Sequence, residues 1–201
     1  EESAMVKRIG IILLVLSFAL IMQAKVKYEL WDDFEGQDTK WQAGTSWRND
    51  IAAVGVELTN KQLTSGKQAL ACLVNIIDVE EKYGQLAYMV ENNAGWDLSN
   101  VESVMLDIYN PLENELEYAL SFSTGNWTWY ESTSVKLKPG WNKDISFDLL
   151  DDRLWKAAES NWEYAIIPQN MHLVQRIAVL FYFKQAFKGA VYIDNLRFGT
   201  P

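Results

Sequence analysis

Three stretches of the sequence carry large apolar residues at every second position. Val104, Leu106 and Ile108 interleave with Met105, Asp107 and Tyr109. Tyr118, Leu120 and Phe122 interleave with Ala119, Ser121 and Ser123, and Ile177, Val179, Phe181 and Phe183 do so with Ala178, Leu180 and Tyr182. Successive side chains of a strand point to opposite faces, so such a run fits a strand with one buried face and cannot supply a helical stripe. Turn chemistry separates these runs: Thr64-Ser65-Gly66-Lys67, Asn110-Pro111 and Lys138-Pro139-Gly140. Further strands are expected over 27–35, 41–47, 51–58, 68–77, 83–90, 128–137, 143–149 and 189–198. Roughly ten short strands with Gly, Pro and Asn turns predict an all-β, two-sheet antiparallel β-sandwich of the jelly-roll type. One short helix is expected within Leu150–Ser160, where Leu150, Leu154, Trp155 and Ala158 recur at three- and four-residue spacing.

Aromatic residues make up 13% of the chain, which suits pleated, half-buried surfaces. The formal net charge of -9 sets the chain against phosphate backbones and anionic lipid, so nucleic acid is excluded as a partner class. The single cysteine, Cys72, sits in an apolar run and reads as a small buried side chain.

Met5-Val6-Lys7-Arg8 followed by an apolar run from Ile9 to Met22, with Ala24 as a cleavage point, has the three parts of a secretory signal. The run is shorter than the ~20 residues that span a bilayer. The expected organisation is therefore a leader over 1–24, including a short tag-like Glu1–Ala4, and one β-sandwich domain over 25–201. The product is expected to be secreted, extracellular or periplasmic, with no stable membrane insertion once the leader is removed.

Catalysis is not expected. His172 is the only histidine, and no His or Cys cluster or Gly-rich phosphate loop is present. The acidic pairs Asp32-Asp33, Glu80-Glu81 and Asp151-Asp152 are sequence neighbours, which strand geometry sends to opposite faces.

The outward positions suggest a ligand face. With Tyr118, Leu120 and Phe122 inward, Ser121 and Ser123 face out, as does Tyr182 on its strand. Asp107 faces out on a third. Tyr130 and Ser132 fall out of phase with Val135 and Leu137, so Tyr130 is expected to point outward too. Asp107, Ser121, Ser123, Tyr130 and Tyr182 are thus expected to line one sheet face, with Trp127 and Trp129 at a loop-to-strand junction and Trp47 and Arg48 in a rim loop. Trp31, Trp96, Trp141 and Trp155 are assigned to the core. Aromatic rings beside well-placed polar groups suit carbohydrate, whose C–H faces stack and whose hydroxyls bond.

Several motifs, in order, resemble a known family. They are Trp31-Asp32-Asp33-Phe34-Glu35-Gly36, Ser65-Gly66-Lys67-Gln68-Ala69-Leu70, Asp97-Leu98-Ser99, Leu106-Asp107-Ile108-Tyr109-Asn110-Pro111, Leu137-Lys138-Pro139-Gly140-Trp141-Asn142 and Val191-Tyr192-Ile193-Asp194-Asn195-Leu196-Arg197-Phe198. Together they look like the galactose-binding-like, jelly-roll carbohydrate-binding modules found beside bacterial glycoside hydrolases. The resemblance implies a non-catalytic module binding a polysaccharide such as a β-glucan or mannan. It also implies a structural Ca²⁺ joining the first and last strands, with Glu35 and Asp194 at the matching positions, Asp33 as a third ligand and carbonyls near Ser65 and Lys67 adding to the set. Relatives of this shape also serve as assembly domains, so a cell-surface structural protein that self-associates through the same face is the alternative.

Overall fold

The structure is a computed structural model that describes residues 26–44, 52–77 and 84–201. The expected leader, 1–24, and the rim-loop residues Trp47 and Arg48 lie outside the described residues. Thirteen strands follow in order: β1 (Lys27–Asp32), β2 (Gln42–Ala43), β3 (Ala52–Thr59), β4 (Ala69–Ile76), β5 (Gly84–Trp96), β6 (Ser103–Asn110), β7 (Leu116–Thr124), β8 (Thr128–Ser132), β9 (Val135–Leu137), β10 (Gly140–Asp148), β11 (Trp155–Ala157), β12 (Val174–Phe183) and β13 (Phe187–Thr200). They form two antiparallel sheets. The six-stranded sheet runs β10-β6-β13-β4-β3 with β1 also on β13, and the seven-stranded sheet runs β11-β8-β7-β12-β5-β2 with β9 also on β7.

The alternating runs explain why the sheets face each other. Tyr118, Leu120 and Phe122 of β7, Ile177, Val179, Phe181 and Phe183 of β12, and Leu86, Tyr88 and Val90 of β5 form one buried cluster with Leu70, Cys72 and Val74 of β4, Val104, Leu106 and Ile108 of β6, and Val191 and Ile193 of β13. Burying each large apolar side chain contributes about 1.5–3 kcal/mol, so this interior is what holds the two layers together. Polar atoms brought inside find partners where the layers meet. The Tyr88 hydroxyl donates to the Leu73 carbonyl at 2.6 Å. Cys72 is buried as expected, and that burial pushes its thiol pKa up.

Three local expectations are overturned. No helix forms over Leu150–Ser160; two single 3₁₀ turns, Asp152–Leu154 and Ala158–Ser160, flank β11 instead. Trp155 and Ala157 are buried while Lys156 between them is not, which is a period of two. The first turn is capped locally, because the Asp151 carboxylate accepts the Arg153 N–H at 3.1 Å. Second, 128–137 is not one strand but two, β8 and β9, with Thr133 and Ser134 between them. Third, Trp141 is not in the core. It pairs across the ladder with Tyr109 on the outer face of the six-stranded sheet, and the two rings meet edge-on at 5.5 Å. Trp155 is fully buried, while Trp31 and Trp96 pack partly buried against the interior cluster.

Candidate functional site

The outer face of the seven-stranded sheet is built from cross-strand rows. One row is Glu91 (β5), Arg176 (β12), Ser123 (β7) and Trp129 (β8). The next is Met89, Ala178, Ser121, Glu131 and, on β11, Lys156. Ala87, Leu180 and Ala119 form the third, and Gln85, Tyr182 and Glu117 the fourth. Ala87, Met89, Ala119, Ala178 and Leu180 form a small apolar cluster of their own, against which Trp129 and Tyr182 pack. Ala87, Ala119, Ala178, Ser121 and Ser123 keep much of the middle of the face low around Met89 and Leu180. The larger ones at its margin, Trp129, Tyr182, Trp162 and Tyr164, therefore stand up as walls.

Two adjoining hollows result. One, of about 340 Å³, is lined by Gln85, Trp129, Glu131, Lys156, Trp162 and Tyr182. The other, of about 190 Å³, shares Glu131, Lys156 and Tyr182 and adds Glu117, Ser132, Ser134 and Tyr164. Trp162 and Tyr164 are 52% and 43% exposed, in the loop after the second 3₁₀ turn.

Glu131 is the polar centre of the groove. Its carboxylate pairs with the Lys156 ammonium at 2.8 Å and accepts from the Tyr182 hydroxyl at 3.2 Å and the Trp129 indole N–H at 3.4 Å. Burial of the Lys156 ammonium works against its charge, but the hydrogen bond and attraction of Glu131 outweigh it, so its pKa is raised. Burial, reinforced by the Glu131 charge, raises the Tyr182 pKa, so the phenol stays protonated as a donor. The Lys156 ammonium also lies 5.2 Å from the Tyr164 ring centre. Two further pairs flank this centre: Arg176 with Glu91 and Lys184 with Glu117 at 2.6 Å. Three acids and three bases thus offset one another on this face, although the whole chain has a formal charge of -9.

The structure brings together part of the residue set expected from sequence. Tyr182 and Trp129 stand on the groove. Trp127, 42% exposed, lies at its end with the Arg176 guanidinium 5.1 Å from its ring centre. Ser121 and Ser123 face outward but are covered; the Ser121 hydroxyl donates to the Tyr130 carbonyl at 2.7 Å, so both belong to the floor. Tyr130 is a correction. It pairs opposite Phe122, is 2% exposed and belongs to the interior cluster, because the Thr133-Ser134 break resets the alternation between β8 and β9. Asp107 is another: it lies on β6, in the other sheet. There its carboxylate accepts from the Asp144 amide at 2.8 Å and from Arg197 at 3.1 Å, holding the β10 and β13 bulges.

Glu131, Lys156, Gln85, Trp162 and Tyr164 were not anticipated. Glu131 and Gln85 alternate with inward residues once strand limits are known, whereas Lys156 was hidden by the helical reading of its segment. Trp162 and Tyr164 sit in a loop with no periodicity. Asn161 and Trp162 both have positive φ, 53° and 63°, and only the asparagine hints at it in the sequence.

The residues expected at a metal do not converge as three carboxylates; among the described residues no group of three or more His, Cys, Asp or Glu side chains does. Asp33 accepts the Glu35 amide at 3.1 Å and lines a separate hollow beside Trp31 and Trp96. Glu35 and Asp194 do meet one loop. One Glu35 oxygen accepts from the Lys67 and Gln68 amides at 2.5 and 2.8 Å, and one Asp194 oxygen accepts from the Thr64 and Ser65 amides at 2.7 and 2.9 Å.

No protein-family model and no curated protein matches the sequence. Solved structures do match the fold. One, from work on carbohydrate-binding modules of the beta-sandwich super family, superposes with a TM-score of 0.58 at 13% identity, over 85% of this chain and 61% of that one. The family 11 carbohydrate-binding module of Clostridium thermocellum, in complex with a β-1,3-1,4-mixed-linked tetrasaccharide, gives 0.56 at 14% identity over 87% and 96%. A Caldicellulosiruptor saccharolyticus CBM27-1 in complex with mannohexaose gives 0.54 at 18% identity over 86% and 97%. The two-sheet antiparallel β-sandwich that the sequence predicts is the fold these structures share.

Proposed function

We propose that this chain is a secreted, non-catalytic carbohydrate-binding module that holds a neutral β-glucan or mannan chain on the outer face of its seven-stranded sheet. The observation that carries the reading is the groove itself: an apolar floor of Ala87, Met89, Ala119, Ala178 and Leu180, rings of Trp129, Tyr182, Trp162 and Tyr164 along it, and a self-neutralised Glu131–Lys156 centre. Sugar C–H faces stack on the rings, while Glu131 and Lys156 accept from and donate to the hydroxyls between them. Charge compensation favours an uncharged chain. The mixed-linkage glucan and mannohexaose bound by the two neighbours above are both of this kind. The test is isothermal titration against mixed-linkage β-glucan, glucomannan and their oligosaccharides, with reducing-sugar release followed in parallel. Saturable binding without sugar release is expected. Absence of binding to every neutral polymer, or steady release of reducing ends, would overturn the reading.

We further propose a structural Ca²⁺ at the loop 64–68. The Asp194 Oδ1 is buried with no hydrogen-bond partner among the described residues, although Oδ2 of the same group is fully engaged. A buried carboxylate oxygen left without a donor is costly, and a hard cation answers it. Glu35, Asp194 and loop carbonyls near Ser65 and Lys67 would hold the ion, and the ion would tie the first strand to the last. EDTA is then expected to lower the melting temperature and added Ca²⁺ to restore it. A ligand at a hundred times its Kd stabilises by about 2.7 kcal/mol. A melting curve indifferent to both additions removes the ion from this account.

A further inference from the structure

The outer face of the six-stranded sheet carries an aromatic row of its own. Trp141 (β10), Tyr109 (β6) and Tyr192 (β13) are aligned cross-strand partners, and the row continues through Ala71 (β4) to Glu57 (β3). The rings are half-buried and meet edge-on, Tyr109 with Trp141 at 5.5 Å and with Tyr192 at 5.9 Å. Beyond Tyr192 the face drops into a hollow of about 530 Å³, whose apolar wall includes Leu73, Ala190 and the 59% exposed Val54. Lys61 and Lys188 line the same hollow, and neither has an ion-pair partner among the described residues. Among the described residues, Glu57 is the one acid lining it. The opposite groove matches each of three bases with an acid, whereas the described lining of this hollow, Lys61 and Lys188 against Glu57, is net positive on a chain that is acidic overall.

We propose that this face is a second binding site, for a glycan bearing carboxylate or sulfate groups. The Tyr192 ring would stack on a sugar face, and Lys61 and Lys188 would meet the anionic substituents. Rings supply the apolar contact and unpaired ammonium groups select the charge. The two faces lie on opposite sides of the sandwich, so one molecule can hold a neutral and an acidic chain together.

Affinity electrophoresis through gels containing polygalacturonate (carboxylate) or dextran sulfate (sulfate) tests this. Retention by at least one polymer is expected, and which one assigns the substituent. Tyr192→Ala and the double variant Lys61→Ala/Lys188→Ala should each weaken retention about tenfold with unchanged melting curves. Retention should also fall as salt rises toward about 0.5 M, because exposed charges are then screened. Trp129→Ala, in the groove, and Lys136→Ala, on β9 of the other sheet, should migrate as wild type. Three results would each overturn the proposal: no retention by either polymer, equal weakening by Lys136→Ala, which would mean general charge attraction, or loss in Trp129→Ala, which would return the acidic chain to the groove.

Discussion

Trp129→Ala is expected to weaken binding of mixed-linkage β-glucan by tenfold or more while leaving the melting temperature nearly unchanged. The indole stands on the outer face of β8, opposite Ser123 on β7, and packs against the apolar floor without entering the interior cluster. Its N–H is held by Glu131 at 3.4 Å, so the ring is oriented before any ligand arrives. Burying one ring face against sugar C–H groups contributes on the order of 1–3 kcal/mol, and tenfold in affinity corresponds to about 1.4 kcal/mol. Tyr182→Phe removes only the hydroxyl that reaches Glu131 and should cost less than Trp129→Ala. Titration calorimetry of both variants decides the matter: wild-type affinity in Trp129→Ala would take the groove out of consideration.

Trp155→Ala is expected to have the largest effect on stability, about 3–5 kcal/mol. This side chain is fully buried, packs on Phe122 at 5.6 Å and on Phe147 at 6.2 Å between ring centres, and donates its indole N–H to the Asp148 carbonyl at 2.8 Å. Truncation leaves a void between the sheets and strands a carbonyl, two costs that add. Urea unfolding should show a lower midpoint at an unchanged slope. Trp162→Ala serves as the contrast. Its half-exposed ring lines the groove and is not part of the interior cluster, so a stability loss comparable to that of Trp155→Ala would contradict the placement of both.

Period-two alternation in β6, β7 and β12 was enough to predict two facing antiparallel sheets and to name most of their inward residues. The same rule failed where its assumption of unbroken strands failed. Counting back from Val135 and Leu137 puts Tyr130 outward, but the two residues between β8 and β9 shift that count by one. Alternation also says whether a side chain faces in or out but not in which sheet, which is why Asp107 was grouped with Ser121 and Tyr182 from across the sandwich. Strand order is fixed by contacts distant in sequence, such as β13 lying between β4 and β6, and no local pattern carries that information. Trp162 and Tyr164 come from a segment held by turn hydrogen bonds, Trp162 N–H to the Ala157 carbonyl at 2.9 Å among them, where periodicity has nothing to read.

The Glu131 centre has a kinetic and entropic corollary. A carboxylate already engaged by an ammonium, a phenol and an indole fixes the rotamers of all three neighbours at once. An incoming chain then meets a finished surface and has only water to displace, so little freedom remains for the protein to lose on association. Under the proposed function, the groove would take and release a polymer with little rearrangement, and its selectivity would reside in a shape that is present before binding.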